Sequence, residues 1–173
     1  RSAVMPSAAT ITGNREMEER AGKYLAFHLG AEEFGIPVMK VREIMGIQEI
    51  TAVPHTPRHT KGVINLRGKV IPVVDLRLKF GMEETEYTQR TCIIVTEVWG
   101  ENGAMMIGAV VDGVSEVLNL GPGDIEDTPD FGGAVAAAGL LGMAKVKGRV
   151  KILLDIDHVM THQDLDELGS LLG

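Results

Sequence analysis

Residues 62 to 76 read GVINLRGKVIPVVDL, and residues 142 to 156 read GMAKVKGRVKILLDI. The identical positions of the two stretches are Gly62/Gly142, Gly68/Gly148, Val70/Val150 and Asp75/Asp155. A second pair of stretches, GIPVMKVREI (35 to 44) and GAVVDGVSEV (108 to 117), matches in the same order along the chain. An ordered repeat of this kind predicts that one small module occurs twice.

The repeated module has the composition of a β structure. Short aliphatic runs end at glycine, proline or acidic turns, and RGK and KGR occupy matching hairpin positions in the two copies. Five short, twisted antiparallel strands tend to close into a small barrel, which removes exposed edges. The sequence therefore predicts an all-β fold of two five-stranded, Src-homology-3-like barrels related by a pseudo-twofold axis.

The two copies set the expected domain boundaries. We expect barrels at about 22–88 and 89–161, with possible exchange of strands, because a module of 60 to 70 residues is marginal by itself and gains from a shared interface. The second copy is longer by seven residues, which fit an irregular loop around FGGAVAAAG (131 to 139). Residues 1–21 are polar, rich in small residues and without a period, so we expect a flexible tail there.

Helices are expected at only two places. In TPRHTKG (56 to 62), Thr56 is a candidate N-cap, Pro57 suits the first helical position and Gly62 is a stop signal. The apolar residues of DIDHVMTHQDLDELGSLL recur near the helical period, which predicts a C-terminal helix over 155–172.

Composition argues against several classes of partner. A net charge of -7 and a pI near 5.2 lack the electrostatic footprint for nucleic acid or an anionic membrane. The chain has no apolar run long enough to span a bilayer and no export signal, so we expect a cytoplasmic protein without membrane insertion. Cys92, the only cysteine, lies in an apolar run and is expected to pack in the core.

Candidate chemistry is weak throughout. GVINLRGKV fails the spacing of a phosphate-binding loop, and Ser115, Ser170 and Cys92 lack the context of a nucleophile. His158 and His162 are four residues apart, but without a third ligand a solvated helix face is the favoured interpretation. Asp75 and Asp155 are expected to cap turns or to pair with a neighbouring base, and not to act as general acid and base. The sequence thus predicts no enzyme, no metal and no cofactor.

Glu43 and Arg67 stand out as charges within strand-like, apolar surroundings. The planar fork of arginine can bridge a carboxylate and a partner protein at once, and arginine is frequent at interface hot spots. A plain internal ion pair is the alternative. We favour the interface.

Three long segments together carry a family resemblance: GAEEFGIPVMKVREIMG, HTPRHTKGVINLRGKVIPVVDLRLKFG and IGAVVDGVSEVLNL. They resemble the CheW family, the coupling proteins of bacterial chemotaxis, over about residues 22–161. The resemblance implies a non-catalytic adaptor that joins the cytoplasmic tips of methyl-accepting chemoreceptors to the regulatory domain of the histidine kinase CheA. It also implies recruitment to membrane-bound receptor arrays. In this family the receptor's helical hairpin docks between two five-stranded barrels.

The resemblance assigns two sets of contact residues. The receptor-binding set is Glu43, Asn65, Arg67, Val111 and Asp112. The kinase-binding set is Val41, Ile44, Gly62 and Val63. His59 and Thr60 stand where relatives often carry apolar residues. The partner contact nearest to them is therefore expected to differ in strength and identity. Two alternatives stay open: a CheW-like regulatory domain of a larger kinase or receiver-linked coupling protein, and a small enzyme with an unfamiliar site.

Overall fold

The described residues form two curled β-sheets with short helices. A computed structural model describes residues 20–100, 103–127 and 139–172. The expected flexible tail at 1–21, apart from its last two residues, and the expected loop at 131–139, apart from Gly139, lie outside the described residues. The strands are β1 (Gly22–Leu29), β2 (Glu32–Pro37), β3 (Val41–Gly46), β4 (Thr60–Leu66), β5 (Lys69–Asp75), β6 (Cys92–Gly100), β7 (Gly103–Val111), β8 (Gly113–Leu120), β9 (Ile125–Glu126), β10 (Leu140–Val146) and β11 (Arg149–Leu154).

Each sheet takes strands from both halves of the chain. One sheet has the order β8-β1-β2-β11-β10-β9, and the other has the order β3-β6-β7-β5-β4. The first two strands of each half therefore pair with the later strands of the other half. Two parallel pairings, β11 with β2 and β5 with β7, join the halves. The fold is mainly β, as predicted, and the strand exchange that the sequence left possible is reciprocal.

The sixth strand is the one departure from two equal sheets. β9 has two residues and pairs with β10 at Met143 and Ala144. In the other sheet the same place is taken by a single bridge between Thr51 and Val63. The six-stranded sheet therefore has its additional strand only because two residues pair there, where the five-stranded sheet has a single bridge.

Three hydrophobic clusters fill the protein, because the strands are apolar on both faces. Alternate residues of a strand point to opposite faces. Accordingly, Ile93 packs inside the five-stranded sheet, whereas its neighbour Ile94 packs between the sheets. Tyr24 and Leu25 divide in the same way for the six-stranded sheet. The largest cluster lies between the sheets and joins them into one core.

Two matching glycines allow a close approach of the chain to each sheet. Gly62 has a φ of 140°, and a methyl group added there would overlap the carbonyl oxygen of Thr51. Its repeat counterpart Gly142 has a φ of 152°, and the added carbon would lie 2.7 Å from the carbonyl oxygen of Glu126. Both the backbone conformation and the space therefore require glycine at these positions.

The helical turn predicted over 56–62 is wrong. That stretch makes a tight turn, in which the amide of Thr60 donates to the carbonyl of Pro57 at 3.0 Å, and β4 begins at Thr60. The N-cap and proline signals are overridden because Gly62 is needed in the strand, beside Thr51. Where a helix does form, it is α1 (Leu76–Lys79), and its N-cap Asp75 accepts from the amides of Arg77 and Leu78.

The C-terminal helix predicted over 155–172 is present but broken in two. α2 (Ile156–Val159) begins after the N-cap Asp155, and α3 spans His162–Leu172. The break follows from a capping box: the Thr161 hydroxyl accepts from the Asp164 amide at 3.1 Å, and the Asp164 carboxylate accepts from the Thr161 amide at 2.9 Å. Both Asp75 and Asp155 act as caps, as the sequence predicts.

We expect Gly62→Ala to lower the free energy of unfolding by about 2 kcal/mol or more, because the variant meets both a strained φ and the Thr51 carbonyl. Urea denaturation measures the change. The matched control is Gly123→Ala, since Gly123 is exposed and has open space around its Cβ position. A midpoint for Gly62→Ala equal to that of the control would contradict the steric argument.

Candidate functional site

Arg67 and Glu43 form an exposed, bidentate ion pair. Both terminal guanidinium nitrogens of Arg67 donate to the Glu43 carboxylate, Nη1 to Oε2 at 3.4 Å and Nη2 to Oε1. The Arg67 side chain is 72% exposed and that of Glu43 is 31% exposed. The hydrogen bond from Arg67 holds the pKa of Glu43 below its usual value and raises the pKa of Arg67. The pair joins the β4–β5 turn to β3. Since β3 and β4 are the two edge strands of the five-stranded sheet, the pair links its two edges.

A two-residue hairpin loop sets the position of Arg67. Arg67 and Gly68 have φ values of 51° and 86°, the positive angles that a tight hairpin turn requires at both central residues. The side-chain oxygen of Asn65 accepts from the Gly68 amide at 2.8 Å and so supports the turn. Asn65 therefore has a structural role in addition to the receptor contact that the resemblance implies.

The predicted kinase-binding residues differ in accessibility. Ile44, on β3, is 45% exposed, whereas Val41 and Val63 are half-buried. Gly62 is buried and contributes backbone only. Val63 exchanges two backbone hydrogen bonds with Thr51, each of 2.9 Å. Ile44 is thus the member of this set with the most apolar side-chain surface available to a partner.

Val111 and Asp112 are adjacent in sequence but have different surroundings. Val111 is 1% exposed and belongs to the core between the sheets, so its side chain is not available to a receptor; this corrects the expectation for Val111. Asp112 is half-buried, and its carboxylate accepts from the Gly30 amide and from Arg77, both at 2.6 Å. The structure brings Glu43, Asn65 and Arg67 together and gives Asp112 a separate set of contacts.

His59 takes part in a cluster that holds α3 against the body of the protein. Its Nε2 lies 3.1 Å from one oxygen of Asp164, and Lys79 donates to the other oxygen at 2.5 Å. Burial alone raises the pKa of the Asp164 carboxyl, but hydrogen bonds from Lys79 and Thr161, with the charge of Lys79, outweigh burial and lower it. His59, which stands where relatives often carry an apolar residue, thus helps to attach the C-terminal helix α3. Sequence reasoning missed this cluster, although the Thr161-x-x-Asp164 spacing signals the cap.

Among the described residues, no three histidine, cysteine or acidic side chains come together as a metal site. The side chain of His162 lies outside the described part, and His158 pairs with Asp155 at 2.6 Å. Cys92 is a free, half-buried cysteine beside the core, consistent with a packing role. In the described chain, no helix has the length and apolar character to cross a membrane.

An exposed ion pair and an exposed isoleucine lie on a duplicated, β-rich scaffold, and together they form the candidate site. Comparison with known proteins gives the family. The CheW-like domain family matches residues 23–164. The chemotaxis protein CheW of Klebsiella aerogenes is 38% identical over 159 residues, which are 91% of this chain and 93% of that protein. The chemotaxis protein CheW of Rhizobium meliloti is 37% identical over 140 residues, covering 81% and 88%.

A solved structure agrees with these relatives. The scaffolding protein TtCheW from Thermoanaerobacter tengcongensis superposes with a TM-score of 0.73 at 30% identity, covering 83% of this chain and 95% of that one. The chain belongs to the CheW family. Its function is accordingly that of a coupling scaffold in chemotaxis.

We expect Asp164→Asn to lower the free energy of unfolding by about 1 to 2 kcal/mol at neutral pH, because the variant loses the charged acceptor of Lys79. The pKa of Asp164 is lower in the folded state, so its contribution is full above the unfolded value of 3.8 and is lost as pH falls through the folded value. Urea denaturation over a range of pH measures the difference between wild type and variant.

The matched control for this prediction is Asp166→Asn, on an exposed residue of the same helix. It should leave the stability nearly unchanged. A difference between wild type and Asp164→Asn that stays constant from about pH 7 to about pH 2 would refute the assigned ionic role.

Proposed function

We propose that this chain joins the cytoplasmic tips of methyl-accepting chemoreceptors to the regulatory domain of the histidine kinase CheA, and that it does so in the cytoplasm at membrane-bound receptor arrays. Membership of the CheW family supports the proposal. The protein acts through interfaces, without a reaction of its own. The activity of the kinase then depends on how the receptor and the kinase are held together.

One observation favours the five-stranded sheet as the receptor-facing side. The repeat places Lys147 and Glu116 where the first half has Arg67 and Glu43, and Lys147 has the same left-handed turn, with a φ of 53°. Within the described residues, Lys147 and Glu116 form no ion pair with each other, whereas Arg67 and Glu43 do. The bidentate pair is thus found in the first half only, among the described residues, and the module that both halves share does not require it.

The geometry of the pair suits recognition of a helical partner. The guanidinium of arginine has five N–H donors, and the contacts to Glu43 leave others available for carboxylates or carbonyls of a receptor helix. Charges of this kind fix the register of a helix while apolar residues supply contact area. Asn65 contributes by holding the turn.

Transmission of a signal requires unequal contacts with the two receptor states. A partner shifts a conformational equilibrium only when its free energy of interaction differs between the states. A receptor helix that moves relative to the Glu43–Arg67 pair changes the number of these charged contacts. We propose that this difference reaches the kinase through Ile44 and Val63, which lie on strands of the same sheet.

Arg67→Ala is expected to weaken binding of a receptor-tip fragment roughly thirtyfold, as loss of a hot-spot arginine does. The melting temperature should not change, because an exposed ion pair adds little stability. Titration calorimetry measures the affinity. Lys147→Ala, at the repeat-related turn, is the matched control and should bind normally. A lowered melting temperature with unchanged affinity would assign the pair a structural role.

Ile44→Asp is expected to weaken binding of the kinase regulatory domain roughly tenfold, because it places a charge in an apolar contact. Asn119→Asp, on an exposed position of β8, is the control.

Pull-down of both fragments, scored by autophosphorylation of the kinase, tests the whole assignment. Failure of wild-type protein to form a ternary complex with receptor-dependent kinase activity would overturn the proposed function.

A further inference from the structure

The β6–β7 hairpin is longer than its counterpart in the first half of the chain. The β1–β2 hairpin ends with the pair Leu29 and Glu32. The repeat aligns β2 with β7, and the pair at the same position of β6–β7 is Val98 and Met105. Pairing continues there through two further pairs, Trp99 with Ala104 and Gly100 with Gly103. We call these two pairs the hairpin extension, and the module that both halves share does not require it.

The hairpin extension is fixed against the two C-terminal helices. The amide of Trp99 donates to Asp157 Oδ1, on α2, at 2.8 Å, and the same carboxylate accepts from Lys40 Nζ at 2.9 Å. A Cβ added at Gly100 would lie 2.8 Å from Leu165 Cδ1, so α3 packs directly on the backbone there. Contacts with α2 and α3 thus hold the hairpin extension in place.

The hairpin extension carries the only tryptophan of the chain, Trp99, which is 58% exposed. Burial of an aromatic ring contributes strongly to the energy of cores and interfaces, so an exposed ring leaves that energy for a partner. Tryptophan is also enriched among the residues that dominate binding at interfaces. Because α2 and α3 fix the backbone here, contact with this ring needs little further ordering.

The strand pattern places Trp99 on the same face of the five-stranded sheet as the Glu43–Arg67 pair. Val95 is the register partner of Glu43 and packs in the cluster inside this sheet. Alternate residues of a strand share a face, so Glu97 and then Trp99 follow Val95 on that face. The ring is therefore in line with the pair proposed to meet the receptor.

A second ion pair lies between the Glu43–Arg67 pair and Trp99. Nη2 of Arg42 donates to Glu97 Oε1 at 3.0 Å, and the two side chains are partly exposed. From the level of the first pair, β6 reaches Trp99 in four residue steps, which span about 13 Å, the length of about nine residues of an α-helix. One helix lying along β6 can therefore contact both ion pairs and the ring.

The apolar residues proposed to bind the kinase lie on the other face of β3. Ile44 pairs in register with Ile94, which packs between the two sheets. Val41 packs against the same cluster between the sheets. Trp99 is therefore continuous with the receptor pair, and the sheet separates it from Ile44 and Val41. This placement favours the receptor over the kinase as the partner of the ring.

We propose that Trp99 is a second anchor for the receptor's helical tip, and that the Arg42–Glu97 pair lies beneath the helix between the two anchors. This role of Trp99 rests on the proposed function, in which Arg67 binds the receptor. It also specifies the helix: an apolar side chain lies about nine residues from the group that accepts from Arg67. The hairpin extension thus makes the chain selective for receptor tips with that side chain.

Fluorescence of Trp99 tests the contact in the wild-type protein, because no other tryptophan contributes. A tryptophan-free receptor-tip fragment is added until binding, followed by titration calorimetry, is complete. We expect emission at shorter wavelength and quenching by acrylamide reduced about threefold or more, since the ring leaves water. A tryptophan-free regulatory domain of the kinase should change neither quantity. An unchanged signal with bound receptor fragment, or an equal change with the kinase domain, would overturn the proposal.

Variants of Trp99 give a second measurement by titration calorimetry. Trp99→Ala is expected to weaken receptor binding about tenfold or more with an unchanged melting temperature, because the residue is exposed. Trp99→Phe should recover most of the affinity, since it keeps an aromatic contact. Val150→Ala, at an exposed apolar position of the six-stranded sheet, is the matched control and should bind normally.

Arg67→Ala separates failure of this proposal from failure of the proposed function. If wild-type protein does not bind the receptor fragment, the proposed function fails and the second anchor fails with it. If Arg67→Ala weakens binding and Trp99→Ala does not, the proposed function stands and Trp99 is not an anchor. Weaker binding by both variants, with normal binding by Val150→Ala, is the result expected of two anchors on one helix.

Discussion

The two parallel pairings between halves are the constraint on which the rest of the structure depends. β2 pairs with β11, and β5 pairs with β7, so neither sheet can be completed from one half of the sequence. One pairing carries a buried ion pair between Glu33 and Lys151, flanked by Arg149. A buried pair of charges adds little net stability, but breaking it leaves an uncompensated charge. The pair therefore favours this register of β2 against β11 over a shifted one.

Because the halves are exchanged, the space between the sheets is part of the core and not a loose domain boundary. Neighbouring strand residues such as Ile93 and Ile94 serve different clusters, and both faces of the central strands are buried. What is left for partners is therefore at edges and turns. The Glu43–Arg67 pair lies where the two edges of one sheet approach, and Ile44 lies on the edge strand itself. A scaffold of this kind presents fixed side chains on a stiff frame, which suits coupling better than a mobile loop does.

The local features of the fold could be predicted from the sequence because short-range chemistry determines them. The glycine turns at Gly68 and Gly148 and the capping aspartates need only neighbouring residues. The exchange of strands could not be assigned, since pairing between β2 and β11 depends on contacts distant in sequence. The turn near Thr56 differs from the predicted helix for a related reason: its N-cap and proline signals are local, but the need of Gly62 to lie beside Thr51 is not.

The same distinction applies to the candidate site residues. The resemblance assigns Arg67 and Val111 to the same contact, but it does not say which side chain is exposed. Val110 and Val111 are both buried, because β7 has a cluster on each of its faces, and the alternation of a strand gives no outward position there. Arg67 is exposed because a two-residue turn lifts it away from both clusters. Where strands are buried on both faces, then, partner-binding side chains are to be sought at turns and other positions outside the regular strands.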